Sequence, residues 1–202
     1  MKIISELSFF PPIQFYQNCV GKEEIILEKW ENYQKNGFRN RFVIATANGT
    51  QLITIPLQGG KNEQKPITEV EISYETNWQR HAWQSILSAY GRAPYFEHYE
   101  SHLKIFFEKE YHNLWDLNLD VFNKINKLLK IELNCSFSDD YIKKYDENDV
   151  FDFRSQIRPN ADIDTLEFKK YNQLFEERHG FIKNLSILDL LFCTGPQAKN
   201  FI

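Results

Sequence analysis

Three cysteines, Cys19, Cys135 and Cys193, are scattered through 202 residues with no CxxC spacing and no adjacent histidine. An odd, widely separated set supports neither a disulfide framework nor a zinc site, so reduced, buried thiols are expected. No run approaches the roughly 18 apolar residues that a membrane helix needs. The opening MKIISELSFFPP carries Glu6 and two prolines where a signal peptide needs an unbroken apolar core. A soluble, cytoplasmic chain without a membrane span is therefore expected. An excess of positive charge is missing as well: the formal net charge is −4, which argues against nucleic acid as a partner. Nucleophile elbows of the form G-x-S-x-G and Gly-rich dinucleotide turns are absent, and QGGK at 58–61 fails the phosphate-loop pattern because Asn62 follows the lysine.

What is present is apolar and aromatic residues in regular patterns. With 42% hydrophobic and 15% aromatic content, the chain has material for a substantial core, and its length fits one domain spanning 1–202. Residues 2–10 read as a strand stopped by Pro11-Pro12, Ile13 to Val20 as a helix, and Glu24 to Trp30 as a second strand, the order of a crossover unit. Arg39 to Ala47 and Thr50 to Leu57 form a hairpin around Asn48-Gly49, a dipeptide suited to a two-residue type I′ turn. Ile67 to Ser73 reads as a further strand. Three amphipathic helices follow between about residues 77 and 131, the first capped by Asn77 with the stripe Ala82, Trp83, Ile86, Leu87 and Tyr90. Residues 134–167 lack periodicity and read as a long connection. The fold class is α/β to α+β: a mixed sheet mainly from the N-terminal third, including the hairpin, packed by amphipathic helices of the C-terminal half.

Near the end, KNLSILDLLFCTGPQA places Asp189 in an apolar run. Ser186-Ile187-Leu188-Asp189 fits a capping box in which Asp189 reaches back to the cap's own amide, while Gly195 and Pro196 stop the helix. A structural cap is the first reading of Asp189 and a site role the second.

YNQLF at 171–175 and HGFIKNLSILDLLFCTGP at 179–196 resemble the closing motif of WbqC-like proteins. RNRFVIATANGTQLITIPL resembles that family's N-R-x-x-I, N-G and L-T-x-P segment, WQRHAWQSILSAYGRAPYF its W-x-x-x-H and A-P-Y-F helix, and ENYQKNGFRNR the Tyr-x-Lys lead-in of its shorter branch. Two departures stand out. SFFPPIQFY replaces the Q-P-x-Y-L-P-W start of longer members, and their middle section is compressed here into residues 138–170. The resemblance implies a role in bacterial surface-polysaccharide biosynthesis, as a transferase moving an acyl or aminoacyl group onto an amino sugar nucleotide. The departures leave open a non-catalytic binding or scaffold protein of the same family.

The residues themselves offer one basic cluster, Glu31, Tyr33, Lys35, Arg39, Asn40 and Arg41, ahead of and within the first hairpin strand. Strand alternation puts Arg39 and Arg41 on one face, where two guanidinium forks would grip one phosphate or carboxylate of an anionic small molecule such as a sugar nucleotide. The competing reading is a solvated face, or ion pairs with the acidic 139–167 segment. His81 lies in the first turn of its helix, roughly opposite the apolar stripe, and is the candidate proton acceptor. HYESH at 98–102 has two histidines one turn apart but Tyr99 where a zincin needs glutamate, so no metal is expected there, and no cofactor motif is present. The strand–Pro-Pro–helix junction at 8–16 is a further place where free helix amides could cradle an anion.

Overall fold

The computed structural model describes residues 1–59, 62–146, 148–159, 161 and 166–202. Gly60 and Lys61 of the QGGK segment lie outside them. Four short strands, β1 (Lys2–Ser5), β2 (Glu24–Leu27), β5 (Cys135–Phe137) and β6 (Val150–Asp152), make an all-parallel sheet in the order β5-β2-β1-β6. β3 (Arg41–Thr46) and β4 (Gly49–Thr54) form a separate antiparallel hairpin. The helices are α1 (Ile13–Cys19), α2 (Trp78–Tyr90), α3 (Phe96–Lys104), α4 (Leu114–Leu129), α5 (Glu176–His179) and α6 (Ile187–Thr194). The α/β class holds, with parallel and antiparallel pairing divided between two sheets.

Half of the parallel sheet comes from the segment that reads as a connection. β5 and β6 are three residues each, too short to display alternation, and they are specified by pairing: Ile25 with Cys135 and Ile3 with Phe151. The strand expected at 67–73 is instead a 3-10 turn, Ile67–Glu69, followed by isolated bridges from Glu71 to Asn113 and from Ile72 to Leu57. At the hairpin, Thr46 pairs with Gly49, so the two turn residues are Ala47 and Asn48. Neither has positive φ; Gly49, at φ 111°, absorbs it on entering β4. The turn therefore sits one residue earlier than the Asn-Gly signal places it, tightened by Thr46 Oγ1, which accepts from the Asn48 amide at 3.2 Å.

In the first long helix Asn77 occupies the cap position without a side-chain cap bond, and Leu87 points to solvent while Ala89 is buried. The third helix is properly capped: Asn113 Oδ1 accepts from the Asp116 amide at 2.8 Å. The core is continuous from sheet to helices and dense in aromatics. Phe10, with φ 44°, is held in the left-handed region that costs a non-glycine residue about 1–2 kcal/mol. Stacking on Phe107, with centroids 5.7 Å apart, and an edge contact with Phe42 at 5.5 Å hold it there, while its carbonyl accepts from Ser186 Oγ at 3.0 Å.

That same junction closes the proposed anion cradle. The Ile13 amide donates to Leu185 O and the Gln14 amide to Asn184 Oδ1, both at 3.0 Å, so the first turn of α1 is already satisfied by the chain itself. Ser186 does cap α6, accepting from the Leu188 amide at 3.3 Å. Asp189 does not complete the box, because the Ser186 amide is spent on Val43 O. Nor does Pro196 end the helical path, which continues as a 3-10 helix through Gly195–Phe201.

Candidate functional site

Parallel strands deliver the residues that follow them to one edge, and in open α/β sheets that edge carries ligands where neighbouring strands connect in opposite directions. β1 leads away to β2 and β6 arrives from β5, so that place lies between β1 and β6. Arg39 fills it here. Its Nε donates to Glu31 Oε1 at 2.7 Å and its Nη2 to Glu31 Oε2 at 2.8 Å and to Ser155 Oγ at 3.1 Å, while Nη1 lies 3.5 Å from Glu6 Oε1. The Ser155 amide donates to Glu6 Oε2 at 2.9 Å. Burial works against the guanidinium's charge, and Glu6 and Glu31 outweigh it, raising the pKa further. A second arginine closes the rest of the edge: Arg154 bonds Glu28 at 2.8 Å and Asp152 at 2.6 Å, with the rings of Tyr141 and Tyr145 each 5.2 Å from its guanidinium carbon.

These contacts correct the expected pairing of Arg39 with Arg41. Arg39 precedes β3 and is 1% exposed, so strand alternation does not govern it. Arg41 is half-buried and, among the described residues, no carboxylate pairs with it; its Nε is buried without a hydrogen-bond partner. Tyr33 and Asn40 are buried as well, the hydroxyl donating to Asn40 Oδ1 at 2.9 Å and Asn40 Nδ2 to Ile55 O at 2.8 Å. Lys35 is exposed and paired with Glu63 at 2.5 Å. Glu31, Tyr33, Arg39 and Asn40 therefore meet one another or the backbone, fastening the hairpin to the sheet.

His81 lies elsewhere, exposed on α2 where that helix faces β4. Two adjoining crevices, about 420 and 470 Å³, share His81, Gln51 and Ser85 as a common wall. The first is completed by Thr54, Thr76 and Trp78, the second by Asn48, Ser88 and Phe175. Gln51 Nε2 donates to Ser85 Oγ at 3.2 Å across the boundary. The combination of neutral hydroxyls and amides with two aromatic rings suits a sugar ring better than a phosphate. The wall that carries Phe175 is held by His179, whose Nε2 lies 3.2 Å from both Thr46 O and Ala47 O and must therefore bear the proton.

Behind the hairpin, Asp189 is fully buried and accepts from Tyr90 at 2.9 Å and Tyr171 at 2.6 Å. Tyr90 in turn accepts from the Ala45 amide, and Gln173 Nε2 lies 3.2 Å from the Tyr171 hydroxyl. Burial raises the Asp189 carboxyl to about 6, with the two tyrosine hydroxyls pulling against it. The network ties β3, α2, α6 and the 171–173 segment together. His98 and His102 are both exposed, and among the described residues no group of three His, Cys, Asp or Glu is placed to hold a metal.

Glu6, Glu28, Asp152, Arg154 and Ser155 carry no sequence signal of a site because each is a single charge or hydroxyl at the end of a short strand or just beyond it. What the sequence does show is Glu6 and Glu28, each directly after an apolar strand, where a lone carboxylate needs a cation.

No helix among the described residues is long and apolar enough to cross a membrane. The uncharacterized protein Rv1507c of Mycobacterium tuberculosis is 27% identical over 227 aligned positions, which cover 98% of this chain and 96% of the relative. No solved structure matches the chain. The Pro-Pro junction, the hairpin, the first long helices and most of the compressed middle section fall within residues 8–165, the stretch matched by the WbqC-like protein family, and to that family the chain belongs.

Proposed function

We propose that the protein binds an amino sugar nucleotide with its sugar in the groove between β4 and α2, and transfers an acyl or aminoacyl group onto the sugar amine during assembly of a bacterial surface polysaccharide. The carrying observation is the shared wall of Gln51, His81 and Ser85 between two neutral, hydroxyl-rich crevices flanked by Trp78 and Phe175. In the step, the amine nitrogen forms the amide bond to the acyl carbon of an activated donor such as a thioester or adenylate. The bond from that carbon to the leaving group breaks, the leaving group departs with its electron pair, and the amine proton passes to His81. Arg39, Glu31, Tyr33 and Asn40 serve the reaction by fixing the hairpin.

One observation favours a second reading, a binding protein without turnover: among the described residues no hydrogen bond orients the His81 ring, whereas a working general base is usually held by a partner. Calorimetric titration with a nucleotide-linked amino sugar, followed by an amide-formation assay with an acyl thioester, separates the two. The transferase reading expects His81→Ala to keep binding within a few-fold and to abolish amide formation. Binding that survives Ser85→Trp, which fills the groove, overturns the site itself.

A further inference from the structure

The two crevices that meet at His81 differ in chemistry. Leu52, Ile53, Pro56, Trp78 and Ala82 give the first a largely apolar wall, whereas Asn48, Gln84 and Ser88 give the second a polar one beside the Phe175 ring. His81 lines both, and no other ionisable side chain is among the described residues that line either. A sugar ring needs hydrogen-bonding groups around it, and an acyl chain needs apolar surface.

One polar atom interrupts the apolar wall. Trp78 is 6% exposed, and its Nε1, which can donate but not accept, is buried without a hydrogen-bond partner among the described residues. A buried donor left unpaired is costly, and a ligand oxygen would satisfy it. Edge contacts with Phe9 at 6.4 Å and Phe107 at 6.3 Å fix the indole plane before any ligand arrives, the condition under which a hydrogen bond does most for a developing charge. Trp78 and His81 are three residues apart on α2 and so stand on one face of the helix, about a turn from each other.

We infer that the first crevice is the acyl-donor subsite of the proposed transferase, taking an uncharged acyl chain against Leu52, Ile53 and Pro56, with Trp78 Nε1 donating to the acyl carbonyl oxygen. The identity of the acceptor rests on the proposed transfer. The choice of acyl over aminoacyl rests on the crevice itself, where no carboxylate is among the described lining residues to pair with an α-ammonium. As the amine nitrogen bonds to the acyl carbon of a thioester, the carbonyl π pair moves onto oxygen, where the Trp78 N–H meets the charge. That pair returns to re-form the carbonyl as the carbon–sulfur bond breaks. The thiolate leaves with its electrons, and the amine proton passes to His81.

Trp78→Phe keeps an aromatic ring and removes the donor. Amide formation from a butanoyl thioester and a methyl glucosaminide is expected to fall about a hundred-fold in kcat, with KM and glucosaminide affinity within a few-fold of wild type. A glycyl thioester is expected to be at least ten-fold poorer in kcat/KM than the butanoyl one, and Leu52→Asp, at a position 46% exposed, to close that gap. A binding measurement needs no turnover. In wild type with isotope-labelled indole nitrogens, the Trp78 N–H resonance is expected to shift on adding the ketone analogue of the thioester, which has a methylene in place of sulfur, and to stay in place with the glucosaminide. An unmoved Trp78 resonance, an unchanged kcat in Trp78→Phe, or a glycyl thioester used as well as the butanoyl one overturns the subsite. A shifted Trp78 resonance with no glucosaminide binding supports the acyl subsite and removes the sugar groove, so the two readings fail separately.

Discussion

Arg39 and Glu31 meet through two parallel hydrogen bonds of 2.7 and 2.8 Å, sealed from solvent and eight residues apart in sequence. The pair joins the loop after β2 to the entry of the hairpin, and Glu6 and Ser155 extend it to the ends of β1 and β6. Removing one member strands buried carboxylates. Arg39→Met is expected to cost about 3–5 kcal/mol, read as a lower urea midpoint. Adding Glu31→Leu should recover part of that loss, since the second change removes the uncompensated charge. An Arg39→Met protein that is as stable as wild type would mean that the guanidinium does not pin the hairpin.

Asp189 makes a pH prediction. Its folded pKa is raised to about 6 from 3.8, burial being the main cause. A group whose pKa is raised in the fold contributes stability that is complete below about pH 4 and is lost as pH rises through about 6. The gap corresponds to about 3 kcal/mol at ~1.4 kcal/mol per pKa unit. The stability of wild type relative to Asp189→Asn should therefore decline by about that amount between pH 4 and 7, measured from urea midpoints. Parallel profiles for the two proteins would place the titration elsewhere.

Periodicity made the long elements legible. α2, α3 and α4 have enough turns for their stripes to register, and the crossover unit β1-α1-β2 is marked by Pro11-Pro12 and Gly21. β5 and β6 were hidden because three residues cannot alternate visibly; their parallel partners lie over a hundred residues away in sequence. The misreading of the basic cluster has one physical origin. Alternation does not govern Arg39, which stands outside β3; Glu31, grouped with it as a ligand contact, is its partner, and Glu6 becomes its neighbour only through the parallel sheet. His81 was legible as an exposed position on a helix; the groove around it was not, since Gln51 and Phe175 come from distant segments.

Gly195 has φ 58°, and a Cβ built there would lie 2.4 Å from Tyr95 Cδ1. Both the backbone and the packing therefore require glycine at the end of α6. Gly195→Ala is expected to destabilise by about 2 kcal/mol or more. In a thermodynamic cycle with Tyr95→Ala, the steric part should be relieved and the backbone part retained. A purely additive cycle would rule out the close approach to the Tyr95 ring.

His179 offers a separation of binding from stability. Its ring reaches two carbonyls at the tip of the hairpin from an exposed position, and it is four residues from Phe175, which lines the groove. An exposed pair of such bonds contributes on the order of 1 kcal/mol or less to folding, so His179→Ala should lower the urea midpoint only slightly. Freed from the tip, α5 no longer fixes the aromatic wall. Affinity for a methyl glucosaminide should fall several-fold, because Phe175 lines the second crevice beside His81. A large fall in the urea midpoint would mean that His179 holds the whole hairpin rather than one wall of it, and unchanged glucosaminide affinity would remove Phe175 from the binding surface.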